Sequence, residues 1–257
     1  MPAIITRSPF LIHHLPVVDS TNDYLKAMAE APEWTCAMAD QQTAGRGRHA
    51  SPWHSAPGEG LYLSILLRPP AAHKGIPLLS LMTAVVVAET LIDLGVAGVD
   101  IKWPNDVLVN ERKISGILVE SAGFSIADSL RVIVGVGVNL NHTAFPEHLR
   151  DIATSYRIET GSTIEIDEFR DRLLDCFARW YERWREDEEP ALLDRWRSLS
   201  SYAEGKEVLV VLNGDKLTGV TAGINDDGAL LVRTDNGQVR AILAGEVMKL
   251  RKTDRPA

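Results

Sequence analysis

Apolar positions recur along this chain in two periods. From Leu78 to Leu94 they cover every side of a helical wheel, which predicts a helix buried all round and closed by Gly95. From Asp167 to Arg185 the stripe is narrower: Phe169, Leu173, Phe177, Trp180 and Trp184 fall on one face, and a shorter helix is predicted over Pro190–Ser200. Shorter apolar runs between turn residues read as strands at His14–Val18, Thr35–Asp40, Leu61–Leu67, Val99–Trp103, Val107–Val109, Ile114–Glu120 and Arg131–Leu140. Asn110–Lys113 turns one pair into a hairpin, and Ser20 or Thr21 can cap a helix that starts at Asn22.

After Gly205 the pattern changes. Short strands alternate with turn signals at Asn213-Gly214, Asp226–Gly228 and Asn236-Gly237, ending with Val247–Leu250. This predicts a small all-β unit of about 45 residues, too small to stand without packing on the larger part. The expected division is residues 1–204 and 205–257.

Composition narrows the classes. The 257 residues are 45% hydrophobic and 24% charged, and 27 Lys+Arg against 35 Asp+Glu give a net charge of -8. That balance argues against a general nucleic-acid or anionic-membrane binder, while leaving room for a local basic patch at Arg46–His49. Cys36 and Cys176 have neither metal-ligand spacing nor the makings of a disulfide framework, so a reducing cytoplasm is expected. No stretch reads as the ~18–20 apolar residues that cross a bilayer, and the N-terminal apolar run is too short for a signal peptide. The charge run Glu186–Glu189 reads as a solvated helix end. No HxxxH, GxSxG or GxxxxGK[ST] is present, and GVGVN lacks the spacing of a dinucleotide fingerprint.

Five segments carry candidate chemistry, each with a plain alternative. Gln42–Trp53 sets Arg46 and Arg48 among Gly45 and Gly47: either a solvated surface loop or a cationic flap that closes on phosphate or carboxylate. Trp53 taken alone reads better as a core residue. Asp19–Asn22 is either a helix cap or a set of donors for a neutral polar head group. In Lys102–Asp106, Pro104 ends the strand and the turn either stands alone or aims Asn105 or Asp106 at a ligand. Lys113 is either solvated or an anion clamp, and Gly135–Asn139 is either a turn or a backbone cradle with an amide.

In order along the chain, DSTN (Asp19–Asn22), QTAGRGR (Gln42–Arg48), Trp53, LYLS (Leu61–Ser64), KWPND (Lys102–Asp106), KISGILVE (Lys113–Glu120) and GVGVN (Gly135–Asn139) resemble the biotin protein ligases. Phe145-Pro146 and Ala153–Ser155 fit as well, and the likeness runs from about Leu15 to Leu250. The resemblance implies an α+β fold related to class II synthetases: a mixed, mostly antiparallel sheet backed by helices, followed by a small SH3-like β-barrel. It implies a two-step reaction in which biotin and ATP, with Mg²⁺, give biotinyl-5′-AMP, and the acyl group then passes to a lysine of a biotin carboxyl carrier domain. It assigns Ser20, Thr21, Asn22, Gln42, Arg46, Gly47, Arg48, Lys113, Gly116 and Ile117 to biotin, and Gly45, Arg46, Arg48, Trp53, Asn105, Lys113 and Asn139 to ATP and the adenylate. Lys113 and Arg48 become catalytic, and Asp106 the group that orients or deprotonates the acceptor lysine. No protein side chain is assigned to a metal.

Two features depart from that pattern. Many members continue the loop as GRGR-x-G-R-x-W, whereas here Ser51 stands at the third arginine position and Pro52 stiffens the approach to Trp53. One phosphate contact is then missing or supplied from elsewhere, and slower closure or faster loss of the adenylate is expected. Only about fourteen residues precede the pattern, so the ligase-only type is expected, without specific DNA binding. A homodimer through sheet edges is compatible with the family. The rivals are a lipoate–protein ligase or lipoyl transferase, and a non-catalytic biotin-binding regulator.

Overall fold

The all-round apolar stretch forms the helix around which the protein is packed. In the computed structural model, which describes residues 2–70, 73, 75–124, 130–212, 215–243 and 245–249, this helix is α2 (Leu79–Asp93). It is entered through a short 3-10 turn at Ile76–Leu78 and ends where Gly95 adopts φ +81°. One face lies on a large sheet, and the opposite side is covered by α4 (Ile166–Arg185) and α5 (Glu189–Leu199). Burial on both sides leaves no polar stripe to select. Thr83 and Thr90 return their hydroxyls to the carbonyls of Leu79 and Val86, and Glu89 is bonded by Trp180 Nε1 at 2.8 Å and Arg195 Nε at 2.7 Å. The expectation that no segment has bilayer-spanning length and composition is corrected here. Ile76–Asp93 meets both criteria, and its apolar surface is buried in this core.

Among the described residues the large sheet has eight strands: β1 (Ala3–Arg7), β2 (Phe10–Val18), β3 (Thr35–Gln42), β4 (Gly60–Leu67), β5 (Val99–Lys102), β6 (Asp106–Val109), β7 (Arg112–Phe124) and β8 (Leu130–Asn139). Their order is β1-β2-β3-β4-β8-β7-β6-β5. Only β2 and β3 run parallel; every other neighbouring pair is antiparallel. The parallel pair needs a crossover, supplied by α1 (Thr21–Ala27), which packs Leu25 on Ala37, Leu66 and Ile133 of the face turned away from α2. Ser20 is the cap of α1, its Oγ accepting from Asp23 N at 3.4 Å. Arg131, almost fully buried, closes the other end by donating to the carbonyls of Leu25 and Met28. The mixed, mostly antiparallel sheet backed by helices is as the sequence implies. The edge strand β1 and the short helix α3 (Tyr156–Thr160) were not foreseen.

The C-terminal unit is all-β: β9 (Glu204–Leu212), β10 (Asp215–Ile224), β11 (Leu230–Arg233), β12 (Val239–Ile242) and β13 (Glu246–Lys249), in the order β12-β11-β10-β9-β13. All four ladders are antiparallel, and β12 and β13 are the outer strands of a sheet that stays open among the described residues. Asn236-Gly237 makes the turn between β11 and β12; Asn213-Gly214 and Leu250 lie outside the described residues. Cys36 and Cys176 are buried, unpaired thiols whose pKa burial pushes up.

Beyond β8, His142 is fully buried, stacked on Phe145 with ring centroids 5.0 Å apart. Burial, helped by nearby His54, pushes its pKa down to about 4. The unfolded chain takes up that proton near the ordinary value while the folded chain refuses it, so His142 withdraws stability as pH falls between the two. His142→Phe keeps an aromatic ring on Phe145 and removes the titration. Its unfolding free energy in urea should gain on the wild type by about 2 kcal/mol between about pH 7 and about pH 5. A difference that stays constant over that range would show that His142 charges as easily folded as unfolded.

Candidate active site

Three glycines on neighbouring strands leave one patch of the sheet bare. Gly116 of β7 pairs across to Gly137 of β8, and Gly135 pairs with Leu118 and Ser64. All three lie on the face turned away from α2, the face that also carries Ile133 beneath α1. The bare patch is occupied closely. A Cβ at Gly137 would sit 2.5 Å from Trp53 Cε2, one at Gly116 2.9 Å from Trp53 Cζ3, and one at Gly135 2.4 Å from Asn22 Oδ1. The glycines let an indole and an amide approach the backbone where any side chain would collide. Above this floor is a cavity of about 530 Å³, within the usual size of small-molecule sites.

The Gln42–Trp53 segment forms one wall. It leaves β3 clamped beside the entry to α1, with Thr43 N on Val18 O and Ala44 N on Asp19 O, both at 2.9 Å. It then closes on itself: Trp53 N donates to Gly45 O at 2.9 Å and Gly47 N to Ser51 O at 2.7 Å. Inside it His49 and Ala50 take left-handed φ values of 53° and 58°, a conformation that costs residues with a Cβ roughly 1–2 kcal/mol each. The Trp53 Nε1–H is buried above the floor without an acceptor among the described residues.

Three cations line the cavity, and the structure gives partners to each. Arg46 makes a two-pronged pair with Asp23, Nη2 to Oδ1 being 2.7 Å, and also reaches Glu120 Oε2 at 3.3 Å. The hydrogen bond from Arg46 holds the Asp23 carboxyl below its usual range, against the opposing effect of burial. Arg48 Nη1 donates to Gly245 O of the C-terminal sheet at 2.9 Å. Lys113 Nζ pairs with Asp106 Oδ1 at 2.6 Å and stands 5.4 Å from the centre of the Trp53 ring. The backbone of Lys113 is pinned by the segment after β8, its N–H on Ile152 O at 2.8 Å and its carbonyl on Thr154 N at 2.9 Å.

Over Gly135 the wall is built of neutral polar groups, with Arg46 close to Asn22 through their shared partner Glu120. Gln42 Oε1 accepts from Thr21 N at 2.9 Å and lies 3.1 Å from Thr21 Oγ1. Ser64 Oγ is 2.7 Å from Thr21 Oγ1 and 2.6 Å from Asn22 Oδ1. Permanent cations alongside neutral hydrogen-bonding groups suit a ligand with an anionic tail and a polar, uncharged head.

Of the residues singled out from sequence, Ser20, Thr21, Asn22, Gln42, Arg46, Gly47, Arg48, Trp53, Asn105, Asp106, Lys113, Gly116 and Ile117 line this cavity. Gly45 lies behind it, where a Cβ would be 2.9 Å from Gln42 Nε2. Asn139 is not in the wall: it is buried, and its amide donates to Thr154 O at 3.0 Å, fixing the segment that pins Lys113. Asn105 lines the cavity, but its amide donates to Ile117 O at 2.9 Å and so ties the KWPND turn to β7. Asp106 does not stand free as a base; its carboxylate is held by Lys113. Sequence reasoning missed Asp23 and Glu120 as partners of Arg46. It also missed Val211 and Gly245, which the C-terminal sheet adds to the wall.

Among the described residues, one group of His and carboxylates has ligand atoms close together: His73, Asp187 and Glu189. It lies apart from the cavity, and both His73 ring nitrogens are engaged, with Gly75 N at 3.0 Å and Trp184 O at 3.1 Å. Among the described residues, Asp106 is the only carboxylate that lines the cavity.

Residues 14–139 match the biotin/lipoate A/B protein ligase family, and residues 205–250 match the biotin protein ligase C-terminal domain. The chain is 36% identical over 242 residues to the bifunctional ligase/repressor BirA of Bacillus subtilis, covering 92% of this chain and 73% of that protein. It is 33% identical over 235 residues to a biotin–[acetyl-CoA-carboxylase] ligase of Paracoccus denitrificans, covering 89% of this chain and 96% of that one. The solved biotin protein ligase of Aquifex aeolicus in complex with biotin and ATP superposes with a TM-score of 0.80 at 33% identity, covering 92% of this chain and 97% of that chain.

The close approach of Trp53 to Gly137 gives a direct test of the floor. In Gly137→Ala the new methyl must lift the indole, because backbone lies beneath it and the flap is the softer partner. Trypsin cleavage after Arg46 or Arg48 should rise several-fold, while the cost to global stability stays within the ~1–3 kcal/mol typical of overpacking. Unchanged cleavage would show that Trp53 does not hold the flap down.

Proposed function

The chain belongs to the biotin protein ligase family, and we propose that its glycine-floored cavity carries out both halves of that family's reaction. The protein is an ATP-dependent biotin protein ligase. It joins biotin to AMP with release of pyrophosphate, and then passes the biotinyl group to a lysine of a carrier protein. The observation that carries this reading is that Arg46, Arg48 and Lys113 line the same cavity as the neutral hydrogen-bonding groups of Thr21, Asn22 and Gln42.

The neutral polar wall, built from Ser20, Thr21, Asn22 and Gln42, receives the ureido head of biotin. Gly116 and the backbone of Ile117 form the wall along its rings and tail. The carboxylate then lies toward Arg46, Arg48 and Lys113. In the first step a biotin carboxylate oxygen attacks the α-phosphorus of ATP, and the bond to the departing pyrophosphate breaks. Two anions meet in that step, so the three cations offset the charge gathering on the phosphorus oxygens. Magnesium, where bound with the nucleotide, would neutralise its phosphates. With a single carboxylate in the wall, the ion would be held by phosphate oxygens and water more than by the protein. Trp53, with its unspent N–H, covers the adenylate from the flap side, and Asn105 holds the adjoining turn in place.

In the second step the acceptor amine attacks the acyl carbon and AMP leaves. The amine must be neutral to attack. Asp106 becomes available to take its proton when Lys113 turns from Asp106 to the adenylate. Asn139 acts at one remove, through Thr154 and the backbone of Lys113.

A lipoyl substrate fits the neutral polar wall poorly. Its dithiolane offers the hydrogen-bonding groups around Thr21 and Gln42 no partner, and unpaired buried polar groups discriminate strongly against such analogues. Purified protein supplied with ATP and radiolabelled acid should modify a biotin carrier domain with biotin and leave a lipoyl domain unmodified. Transfer of lipoate alone would overturn the assignment. Lys113→Ala and Arg48→Ala should each keep the fold and slow biotin-dependent pyrophosphate exchange by ~10²–10³. Wild-type exchange rates in both would show that the cations play no part in forming the adenylate.

A further inference from the structure

Glu120 lies two turns of the pleat beyond Gly116, on the cavity face of β7, yet it does not line the cavity. Its carboxylate collects three donors: Asn22 Nδ2 at 2.7 Å, Lys26 Nζ at 2.7 Å and Arg46 Nη2 at 3.3 Å. Burial pushes its pKa up, but the bonds from Asn22 and Lys26 outweigh that and hold it below the usual carboxylate range. It is therefore an anion at neutral pH, and an anion only accepts.

That fact orients the next group. The Asn22 amide must turn its NH₂ toward Glu120, which leaves its carbonyl oxygen facing Ser64 Oγ at 2.6 Å. Ser64 is fully buried and its hydroxyl has one proton. With a carbonyl in front of it, Ser64 spends that proton on Asn22. Toward Thr21 Oγ1, at 2.7 Å, Ser64 then offers only a lone pair. The Thr21 proton is drawn back to Ser64 or to Gln42 Oε1, and Thr21 presents a lone pair to the cavity. A reversed Asn22 amide would set its carbonyl against the Glu120 carboxylate and invert the whole chain.

We propose that Glu120 is a positioning residue for the substrate head group: through Asn22 and Ser64 its charge sets Thr21 as an acceptor, and so selects a ligand that presents an N–H at that point. This deepens the biotin reading and rests on it, since a cyclic urea carries such an N–H.

The test is a double-mutant cycle on the full-length protein, read as biotin affinity by calorimetry, with thermal unfolding alongside. Glu120→Gln removes the charge and keeps the shape; it should weaken biotin binding about tenfold, or about 1.4 kcal/mol. Ser64→Ala cuts the relay without touching the cavity wall, and should itself weaken binding several-fold. In the Ser64→Ala background, Glu120→Gln should cost less than about twofold, because interacting groups are not additive. Lys26→Met removes another partner of Glu120 and should leave affinity within about twofold of wild type. Equal losses from Glu120→Gln in both backgrounds, or an equal loss from Lys26→Met, would overturn the relay. Should Glu120→Gln not fold, unchanged affinity in Ser64→Ala would overturn it alone. A wild-type protein that binds no biotin would instead sink the functional reading, which keeps the two failures apart.

Discussion

The site depends on a stretch of sheet that has lost its side chains. A strand presents one side chain to a given face every second residue, and a central sheet normally fills both faces. Here Gly116, Gly135 and Gly137 empty one face over adjoining positions while the other face remains dense with Val134, Val136, Val138 and Ile117 against α2. Glycine within a strand is costly in backbone entropy. These glycines sit in β7 and β8, each paired on both sides, so the ladders and the apolar face beneath supply the order that the missing side chains do not. The result is a rigid, shallow floor on which an indole can lie and into which an amide can be inserted.

Charge around that floor is arranged for exchange rather than for vacancy. Leaving a guanidinium or ammonium half-buried without a counter-ion is expensive. Arg46 is accordingly held by Asp23 and Glu120, and Lys113 by Asp106, in the same wall that would receive an anionic ligand. An incoming carboxylate or phosphate replaces one anion by another and need not supply the full cost of desolvating a bare cation. The two holds differ in kind. Arg46 is gripped by a forked pair with Asp23 and by Glu120 of a second element, whereas Lys113 has one ion pair among the described residues, on a flexible stem. Lys113 is therefore the more easily redirected, and its departure would free the Asp106 carboxylate.

Much of this was legible in the sequence because several motifs owe their form to local constraints. Glycines inside the apolar strand Arg131–Leu140 signal close approach before any partner is known, and Trp53 and Asn22 prove to be the partners. The Gly-Arg loop announces a cationic flap whatever its closure. What was not legible is the partnering. Asn139 and Asn105 look alike in sequence as amides next to ligand motifs, yet one binds Thr154 O behind the wall and the other binds Ile117 O within it. No periodicity distinguishes them, because the difference lies in contacts between elements distant in sequence. Glu120 closes a motif and reads as the polar end of an apolar strand; only the placement of α1 beside β7 reveals the donors it collects. The bilayer-length apolar helix was underestimated for a related reason: Ser80, Thr83 and Glu89 interrupt the run of letters but are absorbed by hydrogen bonds inside the core.

The C-terminal sheet belongs to the same physical unit as the cavity. Its apolar residues Val208, Ile224, Leu230 and Val232 join the core that surrounds α2, as a sheet this small requires for stability. Two contacts then tie it to the site. Trp103 of the KWPND segment donates its indole N–H to Gly228 O at 2.9 Å, and Arg48 of the flap donates to Gly245 O at 2.9 Å. The turn that carries Asp106 and the flap that carries Arg48 approach the cavity from different sides, and both are referenced to this one sheet. Their separation is thus set by a third body instead of by either loop alone. A flap built partly in left-handed conformations gains a fixed stop in Gly245, and the wall it closes gains Val211 from the same sheet. The small sheet therefore contributes to the geometry of the cationic wall through backbone carbonyls, which carry no sequence motif.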